Sequence, residues 1–205
     1  MDPSQELRVM RAVGRSTRMV ANGLSQVPRD SIMDVVDVPC DLLRLFRTPV
    51  GNGTEYEREV EPRRMLSDFL REDLRLTGTH VACEHGFCGV CNILFDGETI
   101  RSCLMFAVQA DGHSIETVES LAEPDGTLGR LQQAFNDNAG LQCGYCTPGM
   151  LITAKEHLDA HPDGGTDEEI REAIAGVLCR CTGYQQIIES IRAAATGKGA
   201  DRKST

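Results

Sequence analysis

Eight of the chain's nine cysteines fall into two tight groups, and that grouping limits what the chain can be. The first group is Cys83, Cys88, Cys91 and Cys103; the second is Cys143, Cys146, Cys179 and Cys181. Grouped cysteines serve as disulfides or as metal and redox groups, and the compartment decides between them. The N-terminus lacks a basic–apolar–small export pattern, so a reducing, cytoplasmic setting is expected. Residues 1–30 hold several arginines but also Asp2, Glu6 and Asp30, which a transit peptide avoids. Metal ligation is therefore the expected use of the thiols.

The first group reads C-x4-C-x2-C with a distant fourth cysteine, the spacing of plant-type [2Fe–2S] centres. Three thiolates must converge, so the loop has to wrap tightly, and Gly86 and Gly89 allow the backbone angles this needs. Cys103 returns from the far side of a hairpin turning at Asp96–Gly97. Cys83-x-His85 is half of a Rieske pattern, but no second Cys–His pair follows. The second group reads C-x2-C…C-x-C. That spacing admits zinc as well as a cluster. Helix starts after Cys146 and Cys181 would turn their dipoles on the site, which favours an anionic centre of either kind.

The pattern around the cysteines predicts an α+β chain. Residues 1–40 form an extension, with helix near Glu6–Val20. Strands are expected at Asp41–Arg47 and Glu55–Val60, joined by a turn at Pro49–Gly53. One helix follows over Met65–Leu74, then strands at Asn92–Phe95, Glu98–Arg101 and Ser114–Val118. Residues 41–119 thus make one domain. Residues 120–195 make a second, of four helices. These begin at Thr127, at Thr147–Pro148 with Thr147 as N-cap, at the Thr166–Glu169 capping box, and at a second box, Thr182–Gln185. Ile170, Ile174 and Leu178 share a face of the third. Residues 196–205 form a polar tail.

Charge narrows the partners. A formal net charge of −10 and the absence of Trp exclude a nucleic-acid stacking platform. No apolar run of about 18 residues exists, so no membrane span is expected. Cys40 fits neither group and reads as a buried free thiol. His80, His85, His113, His157 and His161 form no ligand set, Glu168–Glu169 is a helix start, and Tyr145 reads as a packing residue. No side chain reads as catalytic.

Five segments carry a resemblance: Leu70–Leu74, Leu76–Thr79, Cys83–Cys91, Gln142-Cys-Gly-Tyr-Cys-Thr-Pro-Gly-Met150 and Leu178-Cys-Arg-Cys-Thr-Gly-Tyr184. The chain resembles the small subunit of the xanthine dehydrogenase / aldehyde oxidase / carbon monoxide dehydrogenase family of molybdenum hydroxylases. The resemblance implies a β-grasp ferredoxin-like domain followed by a four-helix-bundle domain, each with one [2Fe–2S] cluster on its four cysteines. It implies an electron-transfer subunit that relays electrons from a molybdopterin centre to FAD. The molybdopterin sits on a large subunit and the FAD on a medium one, and a dimer of such heterotrimers is an assembly open to it. Gln142 and Cys181 are implied to lie against the pterin. Val90 and Asn92 depart from the family's usual Ala and Thr. Three other readings stay open: a same-family reductase sending electrons toward substrate, a free-standing ferredoxin-like carrier, and a zinc-stabilised binding module.

Overall fold

The structure is a computed structural model and describes residues 44–50 and 54–197. The expected helix near Glu6–Val20, Cys40 and residues 198–205 lie outside the described residues, as do the first residues of the expected first strand.

Five strands form one mixed sheet in the order β2-β1-β5-β3-β4. Strands β1 (Arg44–Val50) and β2 (Thr54–Val60) pair antiparallel from Arg44↔Val60 to Val50↔Thr54. Pairing thus carries β1 through Pro49 to Val50, beyond the end expected at Arg47. Strands β3 (Asn92–Phe95) and β4 (Glu98–Arg101) fall where the alternation placed them. Their turn uses two left-handed residues, Asp96 (φ 50) and Gly97 (φ 87), which matches the strands' twist. The Asp96 carboxylate also accepts the Ser114 N–H at 2.8 Å and pairs with His113 at 2.7 Å, tying the turn to β5. Strand β5 (Ile115–Glu116) is shorter than expected, because the chain turns into a 3-10 helix at Val118–Leu121.

One face of the sheet is closed by α1 (Leu66–Asp68), which widens into a π-helical turn at Phe69–Asp73. Leu74 N–H donates to the Phe69 carbonyl, a step of five residues, so the expected single helix is a composite. Leu66, Phe69 and Leu70 are fully buried there against Ile93 and Ile115. Each such side chain contributes roughly 1.5–3 kcal/mol by burial.

Four helices follow: α2 (Arg130–Asp137), α3 (Thr147–Ala160), α4 (Asp167–Ile174) and α5 (Gln185–Thr196). Helix α2 starts later than expected because Asp125 holds both the Thr127 N–H and its hydroxyl in a local turn. Helix α4 has the expected capping box: Thr166 N–H donates to Glu169 Oε2 at 2.8 Å and Glu169 N–H to Thr166 Oγ1 at 3.3 Å. Two expected caps are corrected. Helix α3 has Cys146 at its N-cap, with Thr147 already inside, and α5 has Tyr184 at its N-cap rather than Thr182. Leu178 is 46% exposed and lies beyond α4, so it shares no helical face with Ile170 and Ile174. Those two pack with Phe135, Met150, Ile187 and Ile191 in the helical core. That core also takes in Cys88 and Val90 from the sheet half.

Candidate metal centres

The loop between the π-helical turn and β3 carries Cys83, Cys88 and Cys91. Its cysteine-bearing stretch, Cys83–Cys91, is bent by three left-handed residues, Glu84 (φ 55), Gly86 (φ 77) and Gly89 (φ 72). A Cβ on Gly86 would lie 2.4 Å from Leu104, and one on Gly89 would lie 2.3 Å from the Gly176 carbonyl oxygen. Cys103 arrives in a 3-10 turn (Ser102–Leu104) directly after β4. The Cys91 carbonyl anchors that turn, accepting from Ser102 N–H at 3.3 Å and from its hydroxyl at 2.8 Å. Cys88, Cys91 and Cys103 are buried and Cys83 half-buried.

The thiols meet two by two. In the first site burial alone would raise the Cys83 thiol. The N–H groups of His85, Cys88 and Phe87, with the Cys88 thiol, outweigh it and hold Cys83 near about 6. Cys88 N–H lies 3.3 Å from Cys83 Sγ. Cys91 is lowered to about 7, first by a hydrogen bond from Cys103 against the cost of burial, while Cys103 is raised by the same bond and by burial. In the first site Cys88 is thus the thiol that acts most on Cys83, and Cys103 the one that acts most on Cys91.

The second site does the same. Cys143 and Cys181 lie 3.5 Å apart, both exposed. The Tyr145 N–H and then Cys181 lower Cys143, and the bond to Cys143 raises Cys181. Burial, then a hydrogen bond to Cys179, pushes Cys146 up to about 12. Cys179 is lowered despite burial, chiefly by the Thr182 hydroxyl and backbone. Helix α4 ends at Ile174, so Cys179 sits on the loop beyond it, not on the helix end expected from the spacing.

The two loops touch. Leu178 N–H donates to the Cys88 carbonyl at 2.9 Å, joining a residue of one site to the neighbour of Cys179 in the other. Arg101 reaches the Gly176 carbonyl at 2.9 Å, and Asn92 Nδ2 donates to Thr153 Oγ1 at 2.9 Å inside the joint. His80 and Tyr145 close the outer edge: His80 Nδ1 lies 2.8 Å from the Tyr145 carbonyl, and the Tyr145 hydroxyl donates to the Val81 carbonyl at 2.5 Å. Tyr145 is about half exposed, so it clasps the loops rather than filling a core. Gln142 is exposed beside Cys143. His113 pairs with Asp96, and His157 lies 3.1 Å from the Gly164 carbonyl. Among the described residues no three His, Cys, Asp or Glu side chains gather round one point as a single ion requires. Sequence reasoning missed the Leu178–Cys88 bond and the placement of Thr182, because both depend on how distant loops meet.

The chain matches two family models: a 2Fe-2S iron-sulfur cluster binding domain over residues 51–122 and a [2Fe-2S] binding domain over residues 117–192. It is 64% identical over 143 residues to the caffeine dehydrogenase subunit gamma of Pseudomonas sp. (strain CBB1), covering 69% of this chain and 85% of that one. It is 53% identical over 149 residues to the 6-hydroxypseudooxynicotine dehydrogenase complex subunit beta of Paenarthrobacter nicotinovorans, covering 72% and 92%. Among solved structures, quinoline 2-oxidoreductase from Pseudomonas putida 86 superposes with a TM-score of 0.72 at 47% identity, over 76% of this chain and 96% of that chain. No helix among the described residues is long and apolar enough to cross a membrane. The chain belongs to the small iron–sulfur subunits of the molybdenum hydroxylase family, and its part in such an oxidoreductase complex is electron transfer through two [2Fe–2S] clusters.

Proposed function

We propose that Cys83, Cys88, Cys91 and Cys103 would hold one cluster and Cys143, Cys146, Cys179 and Cys181 the other. The pairwise meeting of the thiols supports this, since a [2Fe–2S] cluster takes four cysteines over two irons. The donor sets fit the group: all ligands are sulfur, and backbone N–H groups already face Cys83 and Cys143. When bound, the clusters supply one-electron steps between a molybdopterin and an FAD on partner subunits. The chain's own residues bind the irons, shield three first-site sulfurs from water, and fix the two loops through the Leu178–Cys88 bond. That bond is the observation that carries the reading, because it holds the two sites side by side, as a relay between two clusters requires.

The sheet half fits a β-grasp ferredoxin-like domain at 41–119 and the helices a four-helix bundle at 120–195. Cys143, Cys181 and Gln142 are exposed together, which suits contact with the pterin of a large subunit. The medium FAD subunit then meets the first site. A cytoplasmic complex, assembled as a heterotrimer or a dimer of heterotrimers, accords with the thiol chemistry. The relatives' names point to N-heterocycles such as caffeine, nicotine derivatives and quinoline as first compounds to assay.

The test is low-temperature EPR of the dithionite-reduced complex with iron and sulfide counted. Two distinct signals with about four iron per chain are expected. Cys143→Ser should remove one signal and stop reduction of the flavin by substrate. Normal flavin reduction in that variant overturns the assignment.

A further inference from the structure

We propose that the Thr182 hydroxyl donates a hydrogen bond to the Cys179 sulfur and thereby raises the reduction potential of the cluster in the helical half. The inference rests on the reading that Cys143, Cys146, Cys179 and Cys181 hold that cluster.

The geometry supplies the donor's identity. Thr182 Oγ1 lies 3.1 Å from Cys179 Sγ. A threonine hydroxyl has one proton and two lone pairs. One lone pair is already used, because Tyr184 N–H donates to the same oxygen at 3.1 Å. A sulfur bonded to iron has lost its proton. With the sulfur bound to iron, the only proton available to the oxygen–sulfur contact is therefore the hydroxyl's.

The loop leaves the hydroxyl little freedom to turn away. Gly183 (φ 64) and Tyr184 (φ 69) are successive left-handed residues that fold the Tyr184 N–H back onto Thr182. For Tyr184 that conformation is costly and has to be held by its surroundings. The Tyr184 hydroxyl does this: it accepts the Cys179 N–H at 2.9 Å and donates to the Val177 carbonyl at 3.2 Å. Thr182 and Tyr184 thus clamp Cys179 from both sides, sulfur and amide.

Reduction adds one electron and one negative charge to the cluster and its sulfurs. A donor aimed at sulfur stabilises the reduced form more than the oxidised form. Removing it makes the cluster harder to reduce. One charge-assisted bond is worth enough to shift the reduction equilibrium about tenfold, which is ~59 mV for one electron.

The experiment is an EPR-monitored redox titration of the assembled complex carrying Thr182→Val, Thr182→Ala or Thr182→Ser. One of the two iron–sulfur signals should move to lower potential in the Val and Ala variants and return in Ser, while the other stays fixed as an internal standard. Unmoved potentials in Val and Ala, or equal movement of both signals, overturn the inference. If neither Val nor Ala loads its cluster, ENDOR on the reduced wild-type complex decides. An exchangeable proton beyond those of the Tyr145, Cys181 and Thr182 backbone N–H groups is expected at the helical-half cluster, and its absence overturns the inference. Fewer than two signals in the wild-type protein would instead mean that the cluster assignment has failed.

Discussion

Gly89 and Gly149 set how closely the two halves approach. A Cβ on Gly89 would meet the Gly176 carbonyl oxygen at 2.3 Å, and one on Gly149 would meet the Gly89 carbonyl oxygen at 2.4 Å. Both obstacles are backbone, so neither can swing aside. Gly89→Ala adds left-handed strain of about 1–3 kcal/mol to that overlap. Gly97→Ala carries comparable strain at φ 87 with nothing within 4 Å. Thermal denaturation should therefore show a clearly larger loss for Gly89→Ala, with iron content falling only in that variant. Equal losses would mean that the close approach is not required. At this scale the grouping of the cysteines was legible, because their spacing is a local property of the chain; that they hold the irons is the proposal made above. Thr182 was misread as a cap. The S/T-x-x-E/Q pattern makes a cap only where the helix starts at the first residue, and left-handed Tyr184 delays the start of α5 to Gln185.

Helix α4 is short: Ile170 and Ile174 anchor its buried face, and the cap fixes the start of its more exposed first turn. Thr166→Ala removes the hydroxyl that accepts the Glu169 N–H and should cost about 1 kcal/mol, read as a lower denaturation midpoint. Thr166→Ser should keep most of it. This cap was readable because all its partners lie within four residues. The β3–β4 hairpin was readable for the same reason, from Asp96–Gly97 and the alternation around it. The widened turn at Phe69–Asp73 was not, since apolar spacing alone does not separate a four-residue step from a five-residue one. Nor was the brevity of β5, which is set by where Val118 leaves the sheet rather than by its own residues.

The halves meet across a joint that buries polar groups. Thr153 Oγ1 accepts from Asn92 Nδ2 at 2.9 Å and donates to the Gly149 carbonyl at 2.9 Å. Thr153→Val leaves the Asn92 amide buried without that partner and should cost roughly 1–3 kcal/mol. Adding Asn92→Leu should recover part of the loss, and a fully additive loss in the double variant would show that the two side chains do not act as a pair. Deleting residues 1–30 should leave both EPR signals intact, because no proposed ligand lies there; loss of either would give that segment a structural part. The joint could not be read from either half, since each bond across it joins residues more than fifty positions apart. Its existence has a kinetic meaning. Cys88 and Val90 belong to the core of the opposite half, so the chain holds its two redox stations as one solid piece. The hop between them then needs no hinge motion, while the apolar side chains of Phe87 (69% exposed) and Leu104 beside one station, and of Tyr145 and Leu178 beside the other, are left open.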